Sequence, residues 1–409
     1  MDLVSNLTKR ETQLGVGTCN ISDLAKKYVN EVLDSNRLTY GPFSKKFEQI
    51  FAAAHNCKYA VLLNSGTSAL RIAVAALKEK YQWADGDEIL LPTITFVADV
   101  NVVIHNNLTP VFVDIHDQYY NMDPLKIEAK ITPRTKAILV SHLFGGAADM
   151  DAIMDIAQKH DLRIIEDACE SSFAMYKGKP VGSFSEISCF STYQAHIVAT
   201  GVGGLALTND PELAVTLRSL ANHGRDGIYM QIDDDKGKTG EELRQIVSKR
   251  FTFVRPGYSF RATEMEAAIG LAQVEESIAN EITARQKNAA SLTAILQPFE
   301  TDLQLPAIAP ENFHVFMMYP IVIKTGSKAN RDDLVNFLES YNVETRRMLP
   351  LLDQPYILER YGDLSAEYPV GDHVNKNGFY IASHPDLTEE EITYIGAVFS
   401  AFFAQQSGA

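Results

Sequence analysis

The feature that most constrains the fold of this 409-residue chain is an alternation of short apolar runs with amphipathic stretches, between about residues 22 and 211. The apolar runs include YAVLLNSG, EILLPTITF, TPVFVDI, KAILVSHLFG and RIIEDA. Between them lie stretches such as SALRIAVAALKEKY and MDAIMDIAQKH, in which apolar residues recur at helical spacing. The alternation predicts an α/β fold with a largely parallel central sheet. Since the loops that follow parallel strands meet at one edge of a sheet, a ligand site is expected there.

The pattern changes after residue 262. The segment from Thr263 to about Leu296 is rich in Ala, Glu, Ile and Leu and has no internal proline, so it predicts one long or broken helix. A smaller α/β unit is predicted beyond it, with strands in FMMYPIVI and GFYIAS and helices in NRDDLVNFLESY and EEEITYIGAVFSAFFAQ. We therefore predict an N-terminal arm over residues 1–20, a large domain with the ligand site over 21–275, and a small C-terminal domain over 276–409. The charged stretch IDDDKGKTGEELRQ is predicted to be a surface excursion.

Composition excludes several classes of partner. The formal net charge of -15 disfavours nonspecific binding to nucleic acid or to an anionic membrane. No apolar run reaches the roughly 18 residues needed to span a bilayer, and MDLVSNLTKRETQLG lacks a signal-peptide core, so we expect a cytoplasmic protein. The four cysteines are scattered and form no CxxC pair, so neither a metal site nor a disulfide framework is predicted.

A first candidate site lies at the stretch NSGTSA, residues 64–69, which follows one apolar run and opens an amphipathic one. Small residues such as Gly66 and Thr67 let backbone N–H groups and hydroxyls approach a phosphate, with the positive end of the helix dipole behind them. A plain helix cap is the alternative interpretation of this stretch.

Three further positions complete a candidate cofactor site. Phe96, in TFVAD, offers an aromatic face to a flat heterocycle, although a core phenylalanine is the alternative. Asp167 ends the run RIIED, where a carboxylate can keep a pyridine nitrogen protonated or, alternatively, cap a helix. Ser191 lies five residues before His196, ahead of a glycine-rich turn, and this arrangement predicts a phosphate ligand and an acid/base group on one loop.

The order of these motifs resembles a known family. Along the chain come NSGTSAL, TFVAD, VFVDI, HLFGG, IIEDA, FSTYQAHIVATGVGG, RSLANHGRDG, PGYSFRATEMEAAIG and SHPDLTEEEI. Over roughly residues 20–400 this order is similar to that of the DegT/DnrJ/StrS family of sugar-nucleotide aminotransferases and dehydratases. The resemblance implies a type I aspartate-aminotransferase-like fold, pyridoxal 5'-phosphate or pyridoxamine 5'-phosphate as cofactor, and a homodimer with active sites at the subunit interface.

Site residues follow from the resemblance position by position. The implied cofactor-binding residues are Gly66, Thr67, Phe96, Asp167, Glu170, Ser191 and Ser259. Phe96 would stack on the ring and Asp167 would pair with its nitrogen, while the other small residues would hold the phosphate. Glu170, in EDACE, stands where the aminotransferases usually have a glutamine near the ring hydroxyl. Ser259, in GYSFR, stands where an asparagine of the partner subunit often reaches the phosphate.

The main departure from the family lies at His196, which occupies the position of the Schiff-base lysine. An imidazole has no primary amine, so it cannot bond covalently to the cofactor aldehyde. It can still move protons near neutral pH, which makes His196 the predicted acid/base residue. The change resembles the GDP-4-keto-6-deoxymannose 3-dehydratase branch, as does the acid at Glu170. The predicted reaction is therefore removal of the C3 hydroxyl from a nucleotide-linked 4-keto sugar, with glutamate as the amino donor.

Two other functions stay open at this point. The first is a sugar aminotransferase, natural or carrying a lysine-to-histidine change, that also uses glutamate; the second is a catalytically silent protein that binds the cofactor or a sugar.

Val202 stands where the family often has a glutamate. Weaker candidates are His223 and His384, which match family loops, and Arg225 and Arg346, which could meet phosphate or carboxylate groups of a substrate. For each of them a surface or capping role is at least as well favoured.

Overall fold

The computed structural model describes residues 7–227 and 234–407. The strands in chain order are β1 (Tyr59–Leu63), β2 (Glu88–Pro92), β3 (Thr109–Val113), β4 (Thr135–Ser141), β5 (Arg163–Asp167), β6 (Met175–Tyr176), β7 (Lys179–Pro180), β8 (Ile187–Ser191), β9 (Gly204–Thr208), β10 (Leu303–Gln304), β11 (Asn312–Phe313), β12 (Tyr319–Ile323), β13 (Arg346–Arg347) and β14 (Gly378–Ile381).

The helices surround two of the sheets that these strands form. In chain order they are α1 (Asp23–Ser35), α2 (Pro42–Ala54), α3 (Gly66–Tyr81), α4 (Ala98–His105), α5 (Pro124–Ile127), α6 (Met150–Lys159), α7 (Pro211–Ala221), α8 (Gly240–Lys249), α9 (Glu264–Glu276), α10 (Ile278–Leu296), α11 (Arg331–Ser340), α12 (Pro355–Tyr361), α13 (Pro369–Asn377) and α14 (Glu389–Ser407). Two short 3₁₀ segments follow α5 and α10.

The large sheet has the strand order β1-β9-β8-β5-β4-β2-β3. Strand β9 runs antiparallel to both of its neighbours, whereas β8, β5, β4, β2 and β3 pair in parallel. The predicted mainly parallel sheet is thus confirmed. The carboxyl ends of the parallel strands meet at one edge, which is where the candidate residues lie.

Both faces of the large sheet are covered, and the side chains of single strands show how. In β2, Leu90 packs into one apolar cluster while Ile89 and Leu91 pack into another. In β4, Ile138 and Leu139 divide in the same way. Successive side chains of a strand point to opposite faces, so burial on both faces requires continuous apolar runs. This is the physical reason why the runs are so clear in the sequence.

The second sheet is antiparallel and has the order β10-β12-β14-β13. Its core, with Tyr319 and Phe379 fully buried, is closed by α10 and α14. The arm predicted over residues 1–20 reaches this unit, since Leu14 is buried in the same core and pairs with Val343. The domain boundaries stay predictions.

The predicted long helix after Thr263 is broken. Thr263 and Glu266 form a capping box that starts α9, and Ser277 separates α9 from α10. The first two residues of the predicted surface excursion, 232–233, lie outside the described residues, and its later part enters α8. Within residues 7–227 and 234–407, no helix combines the length and the apolar character required to cross a membrane.

Candidate active site

A cavity of about 380 Å³ lies at the carboxyl edge of the large sheet. Its wall includes Ser141 at the end of β4, Asp167 at the end of β5, Ser191 at the end of β8 and Gly66 at the start of α3. The sequence-predicted residues that line it are Gly66, Thr67, Phe96, Asp167, Glu170, Ser191 and His196. Residues from separate motifs therefore meet in one space, as the sheet topology requires.

One end of the cavity is built from the first turn of α3. Ser65 caps the helix by accepting a hydrogen bond from the Ser68 N–H at 3.0 Å. A Cβ atom on Gly66 would lie 2.8 Å from both Cys169 Sγ and Ser191 Cβ, so only glycine fits between the helix and β8. The hydroxyls of Thr67 and Ser191 line the same space. A helix N-terminus with adjoining hydroxyls and no carboxylate of its own suits a phosphate group.

Asp167 and Phe96 form another part of the cavity wall. The Asp167 side chain is buried, and it accepts a hydrogen bond from the Cys169 N–H at 3.0 Å. The Phe96 side chain remains 56% exposed although it lines the cavity, so its ring face is open to a ligand. A buried carboxylate and an open aromatic face fit a protonated, flat heterocycle.

Glu170 adds a second carboxyl group to this wall. The side chain is half-buried, and Oε2 accepts a hydrogen bond from the Phe144 N–H at 3.0 Å. Burial raises the pKa of Glu170 to about 7, with a further rise from the charge of Asp167 and a partial offset from the Phe144 N–H. Both protonation states of Glu170 are therefore available near neutral pH.

His196 is half-buried in the wall of the cavity. Its Nδ1 lies 2.5 Å from the carbonyl oxygen of Cys169. Because a carbonyl oxygen only accepts, Nδ1 carries the proton in this contact and Nε2 is left with the lone pair. Burial lowers the pKa of His196, and the Cys169 carbonyl partly offsets this. The imidazole is thus neutral at pH 7 and can take a proton at Nε2.

The loop that carries His196 is fixed by contacts that the sequence did not predict. The Thr192 N–H donates to the Gly203 carbonyl at 3.0 Å, and the Thr200 N–H donates to the Thr192 carbonyl at 2.9 Å. Gln273, in α9, holds both backbone groups of Ala199, at 2.9 and 2.6 Å. The Val202 side chain is 53% exposed and takes no part in these hydrogen bonds. The Val202 backbone does take part, because its carbonyl accepts a hydrogen bond from the Thr200 hydroxyl at 2.7 Å.

Sequence reasoning also missed a buried polar group behind Asp167. Asp99, in the first turn of α4, has no exposed surface and accepts hydrogen bonds from the hydroxyls of Thr95 and Ser141. The signal available in the sequence was a carboxylate one position inside an apolar helix, in TFVADVNVVI. Without the fold, nothing connects that carboxylate to Asp167.

Several predicted residues do not line this cavity. Ser259 is exposed and accepts a hydrogen bond from Arg261 at 3.0 Å. His223 is exposed; Arg225 binds the Arg250 carbonyl, and Arg346 pairs with Glu344. His384 is buried outside the cavity, with its pKa lowered by burial. Within this one chain, none of these side chains lines the cavity, and their contacts with cofactor or substrate stay predictions.

The described residues that line the cavity include no lysine. The side chains there that can carry or move a proton are those of His142, Asp167, Cys169, Glu170 and His196 and the nearby hydroxyls. Burial raises the pKa of the Cys169 thiol well above its usual value, so this sulfur is a poor nucleophile. The cavity therefore has acid/base groups and lacks an amine for a covalent bond.

Comparison with known proteins gives a consistent result. The sequence pattern of the DegT/DnrJ/EryC1/StrS aminotransferase family matches residues 20–400. Over 382 residues the chain is 32% identical to GDP-perosamine synthase of Caulobacter vibrioides, and the match covers 93% of this chain and 95% of that protein.

Two solved structures are also similar. One is the Escherichia coli GDP-4-keto-6-deoxy-D-mannose-3-dehydratase with bound hydrated PLP, with a TM-score of 0.86, 28% identity, and coverage of 95% of this chain and 100% of that one. The other is a GDP-4-keto-6-deoxymannose-3-dehydratase with a trapped PLP-glutamate geminal diamine, with a TM-score of 0.84, 27% identity, and coverage of 94% and 99%.

Proposed function

The chain belongs to the DegT/DnrJ/EryC1/StrS aminotransferase family, and from that premise we propose that it removes the C3 hydroxyl of a nucleotide-linked 4-keto sugar. The predicted family, the type I fold and the pyridoxal phosphate cofactor are confirmed by the relatives. The enzyme class, acting on nucleotide-linked keto sugars, follows from the same relatives. The removal of the C3 hydroxyl, in place of amino transfer, is our proposal.

The residues present fit the cofactor. The glycine at 66, which nothing larger can replace without moving Ser191, leaves room for a phosphate against the first turn of α3. Asp167 would meet the pyridine nitrogen and Phe96 the ring face. Glu170, with a pKa of about 7, would meet the ring hydroxyl. When bound, the cofactor supplies a protonated ring that accepts electrons from a neighbouring carbon.

The observation that carries the proposal is the state of His196. It is the neutral base of a cavity that has no lysine among its described residues. An aminotransferase of this fold would normally use a lysine both for the covalent bond to the aldehyde and for proton transfer. With histidine only the proton transfer is left, and a pyridoxamine-type cofactor would be held by noncovalent contacts alone.

His196 would therefore do two things in sequence. With the cofactor held, Nε2 would take up the proton that the cofactor carbon C4′ releases, while the Nδ1 bond to the Cys169 carbonyl would stabilise the imidazolium that forms. The same imidazolium then gives the proton to the C3 hydroxyl as it leaves as water. Because the Cys169 contact fixes the plane of the ring, both transfers use one nitrogen.

The reaction balances only if a two-electron donor is consumed. Converting a C3 hydroxyl carbon to a methylene while keeping the 4-keto group is a two-electron reduction, and oxidation of glutamate to 2-oxoglutarate supplies the two electrons. The glutamate nitrogen leaves as ammonia. One 2-oxoglutarate and one ammonia are thus expected for each deoxygenated sugar, and the adduct of PLP and glutamate in a similar dehydratase supports glutamate as the donor.

The test measures both products with a GDP-linked 4-keto-6-deoxy sugar and glutamate, since the similar proteins are named for GDP sugars. Equal amounts of 2-oxoglutarate and ammonia, with a C3 methylene in the NMR spectrum of the sugar, are expected. A His196→Asn variant, which keeps a hydrogen-bonding side chain but cannot act as a base, should form neither product.

A second candidate function is amino transfer, favoured by the 32% identity to a GDP-perosamine synthase. It predicts 2-oxoglutarate with no ammonia, and an amino group on C4 of the sugar. That result would refute dehydration while leaving the cofactor site intact. If the protein binds the cofactor and forms neither product, it is a binding protein and both catalytic proposals fail.

A homodimer with shared active sites is also part of this proposal. Three apolar side chains near the cavity are more than half exposed in the single chain, namely Phe96, Tyr193 and Val202. Ser259 is exposed as well and would reach the phosphate only from the partner subunit. Sedimentation of the holoenzyme at twice the chain mass is expected; a monomer with full cofactor affinity would refute the shared site.

A further inference from the structure

Asp99 is a buried carboxyl group that the proposed mechanism does not use. It has no exposed surface. The Thr95 hydroxyl donates to Oδ2 at 2.5 Å and the Ser141 hydroxyl donates to the same oxygen at 2.6 Å. The other oxygen, Oδ1, is buried and has no hydrogen-bond donor among the described residues. One half of this carboxyl group is thus fully satisfied and the other half lacks a donor.

The neighbouring carboxyl group is that of Asp167. Ser141, which donates to Asp99, is the strand partner of Asp167 in the pairing of β4 with β5, and the charges of the two aspartates interact. Asp167 is also buried, and it accepts the Cys169 N–H. Within residues 7–227 and 234–407, neither aspartate has an ion pair with a basic side chain. The other titratable neighbours are the thiols of Cys169 and Cys189, the carboxyl group of Glu170 and the imidazole of His196. Two adjacent buried carboxylates without a cation cannot both be ionised at modest cost.

The hydrogen bonds decide which aspartate carries the proton. Asp167 has a backbone N–H donor and, under the proposed function, the protonated ring nitrogen as a second, so its negative charge is stabilised. Asp99 has an oxygen that no donor of the described residues approaches, and a proton on that oxygen would satisfy both groups at once. The position of Asp99 in the first turn of α4 favours its charged form, but this effect is small beside burial next to a second carboxylate.

We propose that Asp99 is a neutral carboxylic acid that donates a hydrogen bond from Oδ1 to Asp167 and so positions the carboxylate that meets the cofactor ring. The part that concerns the ring rests on the proposed function; the protonation of Asp99 does not. Asp99 is a positioning residue, because it acts on the cofactor through Asp167. In agreement with a neutral Asp99, burial and the charge of Asp167 raise the pKa of Asp99 well above its usual value.

The proposal makes asparagine the natural replacement. The side chain that an Asp99→Asn substitution introduces would be neutral and of the same shape as the protonated acid. Its carbonyl would accept from Thr95 and Ser141, and its amide would donate to Asp167. Leucine at the same position has the same number and branching of side-chain heavy atoms and none of these bonds. If Asp99 were instead ionised, asparagine would remove a negative charge and would no longer be the conservative replacement.

The first measurement is infrared spectroscopy of the apoprotein at about pH 9, where Glu170, with a pKa of about 7, is ionised. The C=O stretch of a protonated carboxylic acid, above the amide region, is expected in the wild type. It should vanish in Asp99→Asn and persist in Asp87→Asn, a matched change at a buried aspartate that accepts the Ala84 N–H before β2. A wild-type spectrum without this band, or a band unchanged in Asp99→Asn, overturns the proposal.

The second measurement is titration of the apoprotein with pyridoxal phosphate, followed by fluorescence. The dissociation constant should stay within about twofold in Asp99→Asn and rise about tenfold in Asp99→Leu, because the leucine variant loses a charge-assisted hydrogen bond to Asp167. Equal affinities for the leucine variant and the wild type would overturn the positioning role. Neither measurement involves the sugar, so failure of the dehydration proposal would be seen separately.

Discussion

Replacing Glu170 with glutamine should stabilise the apoprotein at pH 8 and leave its stability at pH 4.5 little changed. The folded protein raises the pKa of this carboxyl group from 4.5 to about 7. Between these values the folded state holds a proton that the unfolded state has released, so the free energy of unfolding falls as pH rises and the loss is complete above pH 7. Glutamine is neutral at every pH and still accepts the Phe144 N–H.

The magnitude follows from the size of the pKa change. At about 1.4 kcal/mol per unit, the rise to about 7 corresponds to roughly 3 kcal/mol at pH 8. Because the side chain is only half-buried, solvent screening reduces the expected gain to about 2 kcal/mol. The effect is thus large compared with a typical surface substitution, which changes stability by about 0.5 kcal/mol or less.

The assay is urea unfolding of the wild-type and variant apoproteins at both pH values. The quantity compared is the difference in unfolding free energy between variant and wild type at pH 8, minus the same difference at pH 4.5. Glu276→Gln, at an exposed glutamate near the end of α9, is the control and should give a value near zero. If Glu170→Gln gives the same difference at both pH values, the carboxyl group is not held neutral by its surroundings and the reasoning fails.

Three further predictions concern the cavity. His196→Lys should gain amino transfer, lose ammonia release, and bind pyridoxal phosphate through a bond that borohydride makes permanent, as seen by mass spectrometry; unchanged products would refute a catalytic imidazole. Gly66→Ala should weaken cofactor binding at least about tenfold, because its Cβ would lie 2.8 Å from Ser191 Cβ and overpacking costs about 1–3 kcal/mol; fluorescence titration with an unaltered dissociation constant would count against the phosphate site. In a pH profile of kcat/KM, the acidic limb should lie below 6.5, because burial lowers the pKa of His196 and only the neutral imidazole takes a proton; an acidic limb above 6.5 would contradict this.

The parts of the fold that the sequence predicted are those in which successive residues have the same degree of burial. Strands β2 and β4 are buried on both faces, so their residues are apolar over most of their length. The two-residue strands could not be predicted from the sequence, because each exists only through pairing with residues far away along the chain. Strand β11, for example, forms only by pairing with β6. Arg346, predicted as a substrate contact, lies in one of these short strands, β13.

The candidate site was predictable as a set of positions and not as a set of contacts. Gly66, Asp167 and Ser191 each follow from a local motif at a strand end or helix start. The orientation of His196 depends on the Cys169 carbonyl, which is 27 residues away in sequence, and on Gln273, 74 residues beyond Ala199 in the loop. Asp99 shows the same limit, because its neighbour Asp167 is adjacent only after β5 and α4 have packed.

The loop between β8 and β9 explains how one scaffold accommodates different chemistries. Its two ends are consecutive, adjacent strands of the sheet, and pairing between Tyr193 and Gly201 closes it near its base. The backbone at residue 196 is therefore set by neighbours that do not depend on the side chain there. Under the proposed function, an exchange between an amine and an imidazole at that position would alter the reaction and leave in place the sheet and the residues proposed to hold the phosphate and the ring. Catalytic identity would then be a single-residue property carried by a closed hairpin.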